Sequence, residues 1–151
     1  PCNAYGIIEI KSSLKEEYFT IIDGKKKCIL NKSDFEERKK NNTMNEIKDV
    51  KLNPQFIFFG DTDHNVFYNN RDLIQKYPNI IVECSFFCRN TIKKAKKDKH
   101  MHFINLEKII NELNTTNFYL IHVSKRYNSS FITNIKNEIY SKYQNRVNII
   151  C

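Results

Sequence analysis

The sequence predicts an α/β fold in which helices cover a β-sheet. Three apolar runs, QFIFF, NIIVECSFF and NFYLIHV, each have the composition of a strand buried on both faces. NLEKIINEL and FITNIKNEIYSKY carry apolar residues at the spacing of amphipathic helices. Because strands alternate with helices along the chain, we expect a sheet with helices packed against it.

The remaining elements follow from the same periodicities. In chain order they are a strand at Ala4–Ile10, helical turns at Leu14–Phe19 and Lys25–Lys32, a loop at RKKNNTMNEIKD, a helix at RDLIQKY, a helix or loop at TIKKAKKDKH and a closing strand at RVNII. Pro78 ends the RDLIQKY helix because proline has no N–H to continue it.

The composition is that of a globular chain. Its 151 residues, 40% of them hydrophobic, are predicted to form one domain, 1–151. The net charge of +8 favours anionic partners such as nucleic acid, although a generally basic proteome would give the same charge. No apolar run approaches the roughly 20 residues of a membrane span, and no signal peptide is visible.

Two further features concern the cellular setting. The five cysteines are an odd number, scattered and mostly beside apolar residues. They predict reduced, buried thiols in an intracellular protein of unknown compartment, not a disulfide framework. Pro1 is not an initiator methionine, so we expect the sequence to be a processed product or part of a longer protein.

Polar residues lie where each of the three buried strands ends. Asp61 follows QFIFF after Gly60, Glu83 lies within the second run, and His122 lies near the end of the third. Ligands of open α/β sheets bind beyond the carboxyl ends of the strands, so this set predicts a metal or acid–base site. Taken singly, Asp61 could cap a turn, Glu83 could pair with a basic residue, and His122 could be a core histidine.

The segment HMHFINLEKIINEL adds His100 and His102 before a predicted helix. Two histidines at this spacing are compatible with a metal or acid–base pair. An alternative zinc site would combine them with Cys84 and Cys88. The spacing of that set differs from zinc-finger spacing, and its cysteines fall in or beside a predicted buried strand, where alternate residues face opposite ways.

In combination, these motifs resemble the C-terminal half of the metallo-β-lactamase fold, and in particular ribonuclease Z and its hydrolase relatives. That branch shows, in this order and at similar spacing, a G-D-T strand end, an E-[AC]-[ST]-F strand end, a histidine segment opening a helix, and H-F-S-x-R-Y. The matching segments here are FFGDTD, VECSFF, HMHFINLEKII and HVSKRY, and NAYGIIEIKSSLKEEY resembles the branch's S-x-G-Y strand and the stretch after it. The resemblance implies half of a four-layer αββα sandwich: one sheet with its outer helices.

The resemblance also implies roles for individual residues. Asp61 matches the carboxylate that bridges two zinc ions, and His122 matches a terminal ligand of one of them. His100 or His102 matches the histidine that stabilises or protonates the leaving group. Glu83 matches the carboxylate that orients this imidazole. Counting back from His122 favours His100, whereas the local pattern of histidines favours His102.

Three other residues have weaker assignments. Arg126, in SKRY, could contact a substrate phosphate or form an ordinary salt bridge. Asp63 and His64 follow Asp61 closely, but the family pattern does not use their positions.

The chain departs from the family in its metal motif. H-x-H-x-D-H is absent, as is the histidine before the S-x-G-Y strand, and Val123 replaces a phenylalanine. With Asp61 and His122 as the only matched zinc ligands, the isolated chain is expected neither to hold the two-zinc centre nor to turn over substrate.

Half a sandwich leaves the inner face of the sheet without a partner. We expect a large exposed apolar patch there. Its members would include Phe56, Phe58, Ile80, Val82, Phe118 and Leu120. The expected partner is a separate N-terminal half of the fold or a second copy of this chain.

Three functions remain open from the sequence. The first is a zinc-dependent endoribonuclease resembling ribonuclease Z, which processes the 3′ end of precursor tRNA. The second is a thioesterase-like or lactonase-like hydrolase of the same fold. The third is a non-catalytic RNA-binding module that uses a basic run, although a run of this kind is more often a solvated helix face. That run contains Arg89, Lys93, Lys94, Lys96, Lys97 and Lys99.

Overall fold

A computed structural model describes residues 4–151 and has a mixed α/β architecture. The strands within this range are β1 (Ala4–Leu14), β2 (Phe19–Ile22), β3 (Lys25–Cys28), β4 (Lys48–Phe59), β5 (Asn79–Glu83), β6 (Asn117–Ile121) and β7 (Val147–Ile149). The α-helices are α1 (Lys32–Lys40), α2 (Asn65–Asn69), α3 (Arg71–Ile74), α4 (Ile92–Asp98), α5 (Phe103–Glu112) and α6 (Ser129–Tyr143). Among the described residues, no helix is both long and apolar enough to cross a membrane.

The main sheet has the strand order β1-β4-β5-β6-β7. The pairs β4–β5, β5–β6 and β6–β7 are all parallel, as expected for strands joined by helices. Two contacts show that β1 runs antiparallel to β4. The N–H of Lys15, just after β1, donates to the Ile47 carbonyl, and the Asn53 side chain donates to the Glu9 carboxylate. The sheet is therefore mixed, and the carboxyl ends of β4, β5 and β6 meet at one edge.

The chain divides into two compact units. The core unit comprises the described residues up to Ile8 together with Pro54–Cys151, and the insert unit comprises Glu9–Asn53. The predicted site residues all belong to the core unit.

Within the insert unit, β2 and β3 form an antiparallel hairpin in place of the predicted helical segment Lys25–Lys32. Its ladder ends at the pair Ile22 and Lys25. Asp23 and Gly24 between them both have positive φ angles, of 52° and 71°. This left-handed pair forms the two-residue turn that suits the twist of a hairpin.

Helix α1 covers residues 33–37, to which the sequence assigned no element, and its last three residues fall in the predicted loop RKKNNTMNEIKD. It begins with a capping box, in which the Asn31 side chain accepts from the Asp34 N–H and the Asp34 carboxylate accepts from the Asn31 N–H. This local motif is the signal from which the helix could have been predicted.

In the core unit, the helices pack on one face of the sheet. Apolar residues of α2, α3, α5 and α6 form one cluster with alternate residues of the strands. The strand residues of this cluster include Ile57, Phe59, Ile80, Val82, Phe118 and Leu120. All six are buried.

The prediction of which residues form the open face was therefore partly wrong. Ile80, Val82, Phe118 and Leu120 lie under the helices and are inaccessible to solvent. The face that no helix covers carries Phe56, Phe58, Ile81, Tyr119 and Ile121, which are partly exposed. The two sets alternate along apolar strands, so composition alone does not tell which set faces the helices.

Adjacent residues on β6 test this assignment of faces. We expect Phe118→Ala to lower the free energy of unfolding by about 3–5 kcal/mol, because it empties a fully buried site. Tyr119→Ala, one residue along on the open face, should cost clearly less. Urea unfolding of both variants measures the difference. An equal or larger loss for Tyr119→Ala would reverse the assignment.

Candidate metal centre

Glu83 ends β5 with its side chain almost completely buried, at 1% exposure. Its Oε1 accepts hydrogen bonds from the Met101 N–H (2.8 Å) and the Thr62 N–H (3.2 Å) and lies 3.0 Å from His100 Nδ1. Its Oε2 accepts from Ser85 Oγ at 2.8 Å. A buried carboxylate is stable when its oxygens are bonded in this way.

These bonds connect Glu83 to the segments that carry the other predicted residues. Thr62 is adjacent to Asp61 in the turn after β4, and Met101 follows His100 in the loop before α5. Ser85 Oγ also lies 3.0 Å from the carbonyl oxygen of His122, so its hydroxyl proton is shared between two acceptors. One carboxylate therefore positions all three neighbouring segments.

Asp61, His100 and His122 come together at the carboxyl edge of the sheet. One potential ligand atom from each lies within 4.8 Å of the other two. Asp61 Oδ1 is 3.1 Å from His122 Nδ1, and the two imidazole centroids are 5.6 Å apart. The side chains are 66%, 25% and 54% exposed, respectively. The predicted clustering is confirmed, and the cluster is open to solvent.

The donor set fits a divalent transition metal. His100 Nδ1 donates to Glu83, which leaves Nε2 as the nitrogen available to a ligand. A carboxylate behind a histidine fixes the tautomer that a metal requires. Three protein donors with open positions are typical of catalytic metal sites. The sequence assigned only Asp61 and His122 as ligands, so His100 is a third donor that it assigned to another role.

His122 has an unusual backbone conformation. Its φ angle is 59°, in the left-handed region that few residues other than glycine occupy. Such strain persists where surrounding contacts enforce it, and it is concentrated at functional sites. Here the conformation turns the chain immediately after β6, while Ser85 contacts the His122 carbonyl.

His102 does not join the cluster. Its ring is 1% exposed, and its Nδ1 accepts from the Ile104 N–H at 3.1 Å, which caps α5. Its Nε2 therefore carries the proton and donates to the Cys88 carbonyl at 3.0 Å. With both nitrogens engaged, His102 is a structural residue, and the geometry selects His100 from the two predicted candidates.

The alternative zinc site of two cysteines and two histidines does not form. Among residues 4–151, the only group with suitable donor spacing is Asp61, His100 and His122. Burial raises the pKa of the Cys84 thiol well above its usual range, and the nearby Glu83 charge raises it further.

Arg126 lies beside the cluster without joining it. Its guanidinium carbon is 4.7 Å from the centre of the Phe86 ring, and its Nε donates to Ser124 Oγ. The Phe86 ring in turn packs against His100. The ion pairs of the described residues do not include Arg126, so the alternative of an ordinary salt bridge finds no support.

An open groove of about 500 Å³ adjoins the cluster on the side of α2 and α4. Its lining is mostly polar and includes three asparagines, three aspartates and Lys99. The asparagines are Asn65, Asn69 and Asn70. The sequence gave no role to these amides. Asp63 lines the groove, but its carboxylate accepts from the Asn65 N–H and is not part of the cluster.

The fold and site define a class: an α/β chain with a candidate metal centre at the carboxyl ends of parallel strands. Comparisons with protein-family models and with curated proteins found no match for this chain. A more specific assignment therefore depends on the motifs and the geometry.

The two adjacent histidines should respond differently to substitution. We expect His102→Ala to lower the free energy of unfolding by about 1–2 kcal/mol or more. The substitution removes the cap of α5 and leaves the hydrogen-bond partners of the buried ring unsatisfied. His100→Ala should cost less stability but should weaken zinc binding. Urea unfolding and zinc titration of both variants separate the roles. If His100→Ala costs more stability and His102→Ala weakens zinc binding, the assignment of the two histidines is wrong.

Removing the Glu83 carboxylate should destabilise the core unit. We expect Glu83→Ala to lower the free energy of unfolding by about 2–6 kcal/mol. The substitution leaves the buried N–H groups of Thr62 and Met101 without an acceptor, at a cost of about 1–3 kcal/mol each. Glu112→Ala is the matched control, because that carboxylate makes an exposed ion pair with Arg71 worth at most about 1 kcal/mol. Similar denaturation midpoints for the two variants would contradict this role of Glu83.

Proposed function

We propose that this chain contributes the substrate-facing edge of a metal-dependent hydrolase of the metallo-β-lactamase type. The best candidate is a ribonuclease Z-like endoribonuclease that processes the 3′ end of precursor tRNA. The observation that carries the proposal is the Asp61–His100–His122 cluster with Glu83 behind His100. This cluster combines the residues to which the sequence motifs assign metal binding and proton transfer.

The roles of the side chains follow from their contacts. Bound divalent ions would activate a water molecule at neutral pH and neutralise charge on a phosphodiester. Asp61 and His122, whose side chains lie 3.1 Å apart, would be residues that hold these ions. His100 would be the residue that transfers a proton to the leaving oxygen. Glu83 would hold the ring in place and stabilise its positive charge.

One feature favours a phosphate-bearing substrate over an acyl thioester or a lactone. Arg126 lies stacked and exposed near the cluster, where its guanidinium can bind a phosphate. The thioesterase-like or lactonase-like function remains the alternative within the same fold.

The open sheet face supports the proposed partner. Phe58, Ile81 and Tyr119 lie on adjacent strands in register, are partly exposed, and do not belong to the cluster that the described helices form with the sheet. A second sheet packed on this face would bury them. We propose that this sheet comes from an N-terminal half carrying H-x-H-x-D-H or, failing that, from a second copy of the chain.

One observation favours RNA binding without catalysis. Helix α4 buries Ala95 and exposes its lysines, with Lys99 at the groove. Lys94 pairs with Asp98 at 3.0 Å, so part of this charge is compensated within the helix. The exposed lysines could follow a phosphate backbone up to the groove.

An activity assay distinguishes these functions. The protein is assayed with zinc on precursor tRNA and on acyl thioesters, both as the isolated chain and together with the segment that carries the zinc motif. We expect the isolated chain to be inactive and the complete protein to cleave tRNA, with activity lost in Asp61→Asn and retained in Asp63→Asn. Thioester cleavage alone would favour the alternative hydrolase. Salt-sensitive RNA binding without cleavage would favour the binding module.

A further inference from the structure

We infer that the free edge of β7 binds an extended peptide, which pairs with the strand and lies in a groove between β7 and α6. None of the residues that line this groove belongs to the Asp61–His100–His122 cluster. The inference therefore goes beyond the proposed function, and it holds whether or not the chain is part of a hydrolase.

The edge of β7 offers backbone groups for pairing. Strand β7 is the last strand of the main sheet and, among the described residues, pairs with β6 alone. The Ile150 N–H donates to the Leu120 carbonyl at 2.8 Å, on the side of β6. Along a strand the N–H groups point alternately to one side and the other, so the Ile149 N–H points away from β6. A row of such groups is a template on which an extended chain can add as a further strand.

A groove of about 240 Å³ adjoins this edge. Val147 and Ile149 line it from β7. Ile139, Tyr140 and Lys136 line it from α6, and the Tyr140 side chain is 59% exposed. Because directly opposite residues of paired strands point to the same face, every second side chain of an added strand would enter this groove. Apolar side chains there would be buried between the strand and the helix.

The charge of the groove restricts the peptide. Of the described residues that line it, Lys136 alone is charged, and the ion pairs within residues 4–151 do not include it. An acidic side chain of the peptide would pair with this lysine. Strand β7 itself carries no acidic residue, so charge favours a peptide over pairing of β7 with β7 of a second copy. The expected ligand therefore has apolar and acidic side chains at alternate positions.

A designed peptide, VTVTET, tests the inference. Its valines and its glutamate occupy alternate positions, so all three can face α6 while the threonines face the other way. We would titrate it into the ¹⁵N-labelled chain and follow the amide resonances by NMR. We expect saturable shifts at Val147, Ile149 and Tyr140. Methylation of alternate amide nitrogens of the peptide should abolish binding for one set of amides and spare it for the other, because only one set faces β7.

The chain offers a matched control for the charge. Lys136→Ala should weaken binding of VTVTET about two- to fivefold, as expected for the loss of an exposed ion pair. Lys108→Ala, an exposed lysine on α5 that does not line the groove, should leave it unchanged. The inference is overturned if the β7 resonances do not shift, or if neither methylated peptide loses binding. Dilution-dependent shifts of the same resonances in the free chain would instead assign the edge to a second copy and overturn it.

Discussion

The buried carboxylate of Glu83 is the interaction on which the candidate centre depends. It lies at the end of a central parallel strand. It accepts hydrogen bonds from the N–H groups of Thr62 and Met101 and from the Ser85 hydroxyl, which also lies within hydrogen-bonding distance of the His122 carbonyl. Burying a charged carboxylate to 1% exposure costs free energy unless hydrogen bonds of this kind compensate for the lost hydration. The same bonds align the turn with Asp61, the loop with His100 and the end of the strand before His122. Stability and site geometry are thus properties of one hydrogen-bond network.

The parallel arrangement of the strands explains why a site forms at this edge. Strands β4, β5 and β6 end side by side, so residues far apart in sequence meet within a few ångströms. In the described part of the core unit, the helices of the buried cluster pack on one face, and the apolar residues of the other face are partly exposed. The candidate metal ligands at the sheet edge and the apolar face beside them are consistent with the proposed half of a layered hydrolase.

The sequence predicted the parts that depend on composition and chain order. Apolar runs located the central strands, and their polar ends located Asp61, Glu83 and His122. It could not decide between His100 and His102, because that choice depends on which ring reaches Glu83 and which caps a helix. It also misassigned the sheet faces, since β4, β5 and β6 are apolar on both. The β2–β3 hairpin was missed although Asp23-Gly24 is a strong turn signal.

The third donor changes the chemistry expected of the chain. Two ligands would leave the site dependent on another segment, whereas His100 makes a three-ligand site possible within these residues. The most direct test is anomalous diffraction at the zinc absorption edge from crystals grown with zinc. We expect one peak within bonding distance of Asp61, His100 and His122, with His100 Nδ1 still hydrogen-bonded to Glu83. A peak at the cysteines, or none at this cluster, would contradict it.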